Sequence, residues 1–419
     1  MSEQSVWKEG PFRWLWLANA STTVARSLGV FAISVTLVTV VDASAFQVGL
    51  ATPLSSLGPL LCGLFAGVVV DRWGNRRVMI VTTWGRMAAY AGAVVAFIAG
   101  WLGPWHLLVV VFLVSVADVF FMAAHTSILP RLVGRARIPA ATSSLMASDQ
   151  IIALAGPAAG GQLVRLLPAP CVLAVSVIGQ LSALVGLKNI PHDANRVSGQ
   201  EASPRQRMRE AIVDGAKFMA RNRLLLAVIL TTATNNCAAG VYQAAQSWFI
   251  LKDLDIEPAV FGAIWSVSAV GGIMGALIAP RLGSAWGPLR AMFFASLLMP
   301  MNFALIPLAT LWPNLAVWSI GLSFTLFGLA LGVLSVNSAT LVVALTPDTY
   351  LARVAATRRT VTQGAMLLGG LVGALLLAWV GAVPSLWVAV AIATGQGIFL
   401  VRVGVLRRGS PTEAELASS

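Results

Sequence analysis

The sequence predicts an all-α membrane protein with twelve transmembrane helices in two pseudo-symmetric six-helix bundles. Three observations lead there. Apolar runs long enough to cross lipid recur from end to end, basic residues gather in alternate loops, and one long polar stretch divides the runs six and six. Hydrophobic residues fill 58% of the 419 positions and charged residues only 11%, against about 25% charged in soluble domains. With a mean hydropathy of +0.82, the solvent for most of this chain is lipid.

A helix needs about 20 apolar residues to cross the hydrocarbon. The runs that meet this are 12–40, 46–70, 78–102, 105–130, 139–166, 169–188, 222–251, 258–282, 288–310, 313–345, 354–380 and 384–405. Helices are expected because backbone groups in lipid must be satisfied within the segment. The short alternating strands of a barrel are not seen. The N-terminal MSEQSVWKEG has acidic residues and no small-residue cleavage site, so the first run reads as a retained span.

Two bases, Arg26 and Arg86, fall deep within spans. The other Lys and Arg gather on one side of the alternation, and only Arg165 and Lys252 fall on the other. That bias places both termini and the basic loops in the cytoplasm. The net charge of +12 is therefore a topology signal, and no nucleic-acid partner is expected. Cys62, Cys171 and Cys237 make no disulfide framework, and with three scattered His they make no metal site. No Gly-Lys pair exists, which removes the phosphate-binding loop of an ATP-driven pump. Clustered catalytic groups are also lacking, so neither an enzyme nor a cofactor is expected.

The expected domains are a first bundle at 1–188, a cytoplasmic linker at 189–221, a second bundle at 222–405 and a tail at 406–419. In the linker, Met208, Ile212 and Met219 share a face after Pro204, beside Arg205, Arg207 and Arg209. This reads either as an amphipathic helix on the inner membrane surface or as a solvated connector. A weak repeat relates the halves: GLFAGVVVDRWGNRRVM after the second span and GGIMGALIAPRLGSAWGPLRAM after the eighth. Paired halves with a site between them are the usual plan of secondary transporters.

The sharpest local motif is the loop after the second span: Gly67, Asp71, Arg72, Gly74, Arg76 and Arg77. Gly67 would let a neighbouring helix approach, and Gly74 permits a tight turn. Asp71 could bond a base or a helix N-terminus of the other half in one state and release it in the other. The plainer alternative is a charged turn that only joins two helices. A second motif, Gly156-Pro157-Ala158-Ala159-Gly160-Gly161, combines a kink-forming proline with small residues that allow close packing.

The loop motif resembles the signature of the major facilitator superfamily, although Ala279 and Pro280 occupy the acid and first base positions of the second copy. The stretch at 156–161 is similar to the end of the glycine pattern of drug:proton antiporters. Ser127-Ile-Leu-Pro130-Arg131-Leu-Val133, Ala140-Ala-Thr-Ser-Ser-Leu145, Leu345-Thr-Pro347-Asp348, Leu351-Ala-Arg353-Val354-Ala355-Ala356-Thr357 and Gly364, Gly369, Gly370 and Gly373 follow in order. Together they resemble the branch that holds the macrolide-efflux proteins and the enterobactin exporter. The resemblance implies a monomer in a bacterial inner membrane, exchanging a drug, macrolide-like compound or siderophore for protons, with Arg353 joining the gating loop. Import by the same fold, or a sensor or assembly partner without flux, are the alternatives.

Of sixteen acids, only Asp118 and Asp149 fall inside spans. Counted at 1.5 Å per residue, they and Arg26 lie roughly 15–20 Å from the span ends, near the middle of a core of about 30 Å. A bare charge there costs at least ~2.5 kcal/mol, so these groups should face one another or water. Spans one and four are neighbours in the superfamily's architecture, which makes Arg26–Asp118 the expected pair. Setting Arg26 alone against the two acids leaves a carboxylate to carry the coupling proton. A static ion pair that sets packing is the alternative. Asn19, Gln150, Asn235, Asn236, Tyr242, Gln243 and Asn337 are the expected cavity wall, since amides and aromatics suit an amphipathic ligand. For each amide alone, an interhelical hydrogen bond is the simpler role.

Overall fold

The computed structural model describes residue 7 and residues 9–63, 65–191 and 214–404, which are helical almost throughout, with no strand. The first half contains α1 (Gly10–Thr39), α2 (Ala45–Cys62), α3 (Ala66–Trp73), α4 (Asn75–Ile98), α5 (Pro104–Val133), α6 (Ile138–Leu166) and α7 (Ala169–Lys188). After α8 (214–221) come α9 (Arg223–Trp248), with a π turn at Phe249–Asp253, and α10 (Pro258–Trp286). The chain continues through α11 (Pro288–Leu308), α12 (Ala316–Ala344), α13 (Asp348–Val380), α14 (Ala382–Gly395) and α15 (Gly397–Arg402).

Among the described residues, eleven helical segments are long and apolar enough to cross a membrane. The twelfth expected span is α6, with 29 residues, or about 44 Å of helix. It is long enough, but Asp149, Gln150 and a run of Ala and Gly dilute its hydropathy. Two expected spans are interrupted. The second breaks after Cys62, where the Phe65 N–H turns back to the Cys62 carbonyl at 3.0 Å. The last breaks between α14 and α15, where Gln396 donates from its side chain to the Ser296 carbonyl at 2.8 Å.

Local chemistry sets the helix starts. Proline opens α5, α6, α7 and α11, where its missing N–H costs nothing. Asn222 caps α9 by accepting from the Leu224 and Leu225 N–H groups at 3.1 and 3.0 Å. The sequence repeat recurs as geometry. Gly74 between α3 and α4 has φ 82° and ψ 143°, and Gly287 between α10 and α11 has φ 82° and ψ 145°. Only glycine takes that left-handed turn without strain.

The chain forms two compact units. One comprises Met1–Ala43, Leu57–Ala202 and Glu257–Ser266; the other comprises Ser44–Ser56, Ser203–Ile256 and Val267–Ser419. In the first, α1 packs on α6 and α7, and α4 on α5 and α7, around Phe12, Leu15, Phe121, Ile128 and Leu187. In the second, α9 packs on α13 and α14, and α11 on α12 and α14, around Leu225, Met292, Leu334, Leu341 and Leu400. Small residues permit these approaches. A Cβ on Gly373 would lie 2.7 Å from the Val241 Cα, so α13 can lie directly on α9.

The units are not uninterrupted halves of the sequence. The opening of α2 belongs to the second unit, where Gly49 lies against Ala374 and Pro53 against Gly370. The opening of α10 belongs to the first.

The linker expectation needs a correction. Met208 and Ile212 lie outside the described residues. Met219, on α8, is buried in the core of the second unit instead of resting on a membrane surface. Phe218 stacks on Tyr350 with ring centroids 4.8 Å apart, and Asp214 pairs with Arg353 at 3.2 Å. Apolar contact with α13 offers α8 a drier surface than a headgroup layer does.

Candidate functional site

The charged residues inside the first unit sort into two sites. In the first, Arg86 of α4 donates to Asp118 of α5 at 2.6 Å. The Arg86 side chain is 1% exposed and that of Asp118 27%. The guanidinium also lies 4.5 Å from the Phe121 ring centroid and reaches Thr83 Oγ1 at 3.3 Å. The expected Arg26–Asp118 pair is therefore not formed. Counting Arg86 gives two in-span bases for two acids, so the charge surplus disappears. Sequence reasoning placed Arg86 in a span and did not use it. Its signal was the same as that of Arg26: a charge more than a helical turn from either end of an apolar run.

The second site is a cavity of about 360 Å³. It is lined by Thr23, Arg26 and Phe31 of α1, Asp149 and Gln150 of α6 and Trp265 of α10. Asp149 Oδ1 accepts from Asn19 Nδ2 at 2.9 Å and from Thr23 Oγ1 at 3.0 Å. Among the described residues its Oδ2 accepts no bond, and Arg26 forms no salt bridge. Four expected residues, Asn19, Arg26, Asp149 and Gln150, thus meet at one place. Phe31, Phe261 and Trp265 make an aromatic cluster beside them, with Phe261 and Trp265 centroids 5.3 Å apart. The polar groups sit against aromatic rings, which is the mixture an amphipathic ligand needs.

The stretch at 156–161 builds that wall. A Cβ on Gly160 would lie 2.8 Å from Phe31, and one on Gly161 2.8 Å from the Ala259 Cα. Gly156 likewise lies against Ser27, and Pro157 against Gly262. One edge of α6 therefore meets α1 and the other meets the opening of α10. Beside Pro157, the Ala158 N–H donates out of the helix to Ser266 Oγ at 2.9 Å. A hydroxyl from a neighbouring helix thus enters the ladder where proline opens it.

The end of α6 is tied to the start of α10 by Arg165, which grips Glu257 with both arms of its fork at 2.5 and 2.8 Å. The hydrogen bond from Arg165 holds the Glu257 carboxyl below its ordinary value, with desolvation opposing. The contact is then complete at neutral pH and is lost as the pH falls through that lowered value. Hydrogen–deuterium exchange across the first turn of α10, corrected for intrinsic rates, should rise on acidification in the native protein. Glu257→Gln should show that raised exchange already at pH 7.

In the loop motif, Arg76 is buried, and it donates to the Leu187 carbonyl at 3.0 Å and the Lys188 carbonyl at 2.8 Å. It closes the C-terminus of α7, where a cation is favoured. Arg76→Ala is expected to cost about 2–3 kcal/mol, read as a lower midpoint in thermal unfolding of the purified protein. Asp71 is exposed and forms no salt bridge among the described residues. Arg72 and Arg77 flank a surface depression with Trp73. Gly67 departs from its expected role. A Cβ there would meet no atom of the described residues within 4 Å, and Gly67 lies on an exposed side of α3.

The second unit has its own cavity, of about 220 Å³, between α9, α12 and α13. Asn235 and Asn236 line it, as expected, with Thr232, Ser338, Arg358 and Thr362. Tyr242, Gln243 and Asn337 line neither cavity. Tyr242 is buried in a stack with Phe303, centroids 4.6 Å apart. Asn337 bonds the Val333 carbonyl at 2.9 Å and sits against Gly283, while Gln243 is exposed on α9. Trp265, Thr23 and Arg358 are cavity residues that sequence reasoning missed. In the sequence Arg358 belongs to the basic residues that gather on one side of the alternation, and nothing local distinguishes it from the others.

Eleven apolar spans among the described residues, with the repeated glycine turn and the polar cavities, make this a multi-pass membrane protein, and its family model and the enterobactin exporters among its relatives make it a transporter of the major facilitator superfamily. Within it the chain belongs to the family described as transmembrane secretion effector, whose profile matches residues 2–414. Curated relatives include the enterobactin exporter EntS of Shigella dysenteriae serotype 1 (strain Sd197) and of Escherichia coli O81 (strain ED1a). Each is 25% identical over 408 residues, covering 94% of this chain and 90% of the relative. Among solved structures, a bacterial homologue of the iron transporter ferroportin in an inward-facing state aligns with a TM-score of 0.75 at 15% identity, over 94% of this chain and 98% of that one. The nucleoside transporter NupG aligns at 0.72 and 13% identity, over 94% and 98%. These likenesses carry the fold. The chain is a transporter and not an enzyme.

Proposed function

We propose that this protein exports a hydrophobic or amphipathic small molecule across a bacterial inner membrane, in exchange for protons, by alternating access. One observation carries the reading. Asp149 and Arg26, each far from the ends of a membrane-length helix, share the wall of one cavity with Phe31, Trp265 and Gln150. A charge at that depth is tolerated beside water, and a carboxylate with a free oxygen beside water can take up and release a proton. Asp118 is the weaker carrier, because a buried guanidinium holds it at 2.6 Å. Export, and a siderophore as cargo, are supported by the enterobactin exporters among the relatives; a drug or macrolide-like cargo rests on the motif resemblance alone.

In this reading both termini face the cytoplasm and a monomer suffices. Arg72, Arg77, Asp71 and Arg353 lie at the cytoplasmic ends of helices that rearrange between states. The test is flux in proteoliposomes containing the purified full chain, with a pH gradient imposed in either direction. Macrolides, enterobactin and amphipathic dyes are the probes. A probe that accumulates against its gradient, and stops when an uncoupler is added, supports exchange. A full panel that behaves as in empty vesicles removes the reading.

A further inference from the structure

The cavity of the second unit has a chemical bias. Its polar lining consists of the Arg358 guanidinium, the hydroxyls of Thr232, Ser335, Ser338 and Thr362, and the amides of Asn235 and Asn236. No carboxylate lines it. Four other arginines, Arg86, Arg137, Arg165 and Arg353, each have an acidic partner. Arg358 has none among the described residues. Its hydrogen bond to Ser338 Oγ is 3.5 Å long, at the outer limit of such contacts, and a hydroxyl cannot neutralise a cation.

Position makes this costly. Arg358 lies about 15 Å along α13 from its first residue, and its guanidinium reaches between helices toward α12 instead of outward to headgroups. A half-buried cation without a counter-charge is unfavourable unless something anionic completes it. A second group is also incomplete. Asn235 is 2% exposed, and its Oδ1 has no hydrogen-bond partner among the described residues. The cavity thus offers a positive fork and, beside it, an acceptor for a hydroxyl or N–H. At about 220 Å³ it holds an acid group with an attached ring, not a whole macrocycle.

We infer that this cavity is an anion-binding subsite, in which Arg358 and the Ser338 hydroxyl hold a carboxylate of the transported molecule while Asn235 takes a neighbouring hydroxyl. Hydroxy acids are the ligand class that supplies both groups. The subsite's role in cargo selection rests on the transport reading above, whereas binding itself does not.

The experiment is equilibrium binding to the full chain in phosphatidylcholine nanodiscs. Salicylate is the probe, and salicylamide is its uncharged counterpart with the same ring and hydroxyl. Salicylate should bind more tightly than salicylamide. Arg358→Gln should weaken salicylate about ten- to a hundredfold and leave salicylamide unchanged. Arg358→Lys should recover part of the loss. Equal binding of the two probes, or a Gln variant that binds salicylate normally, overturns the subsite. Phosphatidylglycerol that displaces salicylate where inorganic phosphate does not would assign Arg358 to a lipid headgroup and overturn it as well. A misfolded variant reveals itself by losing salicylamide too, and Arg358→Lys then carries the test. The two proposals fail separately: absent flux with intact salicylate binding sinks exchange alone, and proton-driven flux with unselective binding sinks the subsite alone.

Discussion

Asp118→Asn is expected to destabilise this protein more than Arg86→Met does, although the two substitutions remove the same ion pair. The reason lies in what each leaves behind. Arg86 is 1% exposed and Asp118 27%. Neutralising Asp118 strands a guanidinium in a sealed pocket between α4 and α5, with only Thr83 and the Phe121 face for company. Breaking a buried pair in this way costs about 3–5 kcal/mol. Removing Arg86 strands a carboxylate that can draw in water or take up a proton, so the loss should be smaller, about 1–3 kcal/mol. The double variant Arg86→Met/Asp118→Asn should recover much of the single-variant loss, because nothing charged remains buried. Thermal unfolding of the three variants in one detergent reads this order. If Asp118→Asn matches the native protein, the pair is not structural, and Asp118 returns as a proton carrier.

How much of this was legible in the sequence depends on the range of each interaction. Span positions and the bundle plan were legible because hydropathy is summed over some twenty neighbours, and lipid leaves no other way to satisfy a backbone. The turn at Gly74 was legible for the same local reason. Pairing between helices was not. Arg26 and Arg86 look alike in sequence, and only the packing of α4 on α5 gives Asp118 to the latter. Asn19 and Asp149 are 130 residues apart, yet both were singled out because polar groups in apolar runs are costly enough to be conspicuous. Tyr242 and Asn337 were conspicuous for the same reason, but they solve their burial within the protein, Tyr242 by stacking on Phe303 of α11 and Asn337 by a bond to the preceding turn. A buried polar residue announces that it has a partner. Whether that partner is a ligand or the protein itself is decided in three dimensions.

That distinction shapes the second large effect expected here, which falls on coupling. Asp149→Asn should abolish accumulation driven by a pH gradient, a loss of tenfold or more in steady-state gradient, while exchange of cargo down its own gradient persists. An amide keeps an oxygen that can accept from Asn19 and Thr23, so the packing of α6 on α1 survives. On the proposed exchange, what disappears is the group that changes charge as the cavity alternates between the two sides of the membrane. A conformational cycle that no longer gains or loses a proton cannot draw on the gradient, however well it still moves cargo. Counterflow and gradient-driven uptake, measured on the same proteoliposomes, separate the two quantities. Asp118→Asn supplies the contrast, because its harm should appear in the yield of folded protein, with coupling intact in the molecules that do fold. If Asp149→Asn still concentrates cargo on a pH gradient, the proton travels by another route. The Arg26–Asp149 cavity would then be a binding wall and nothing more.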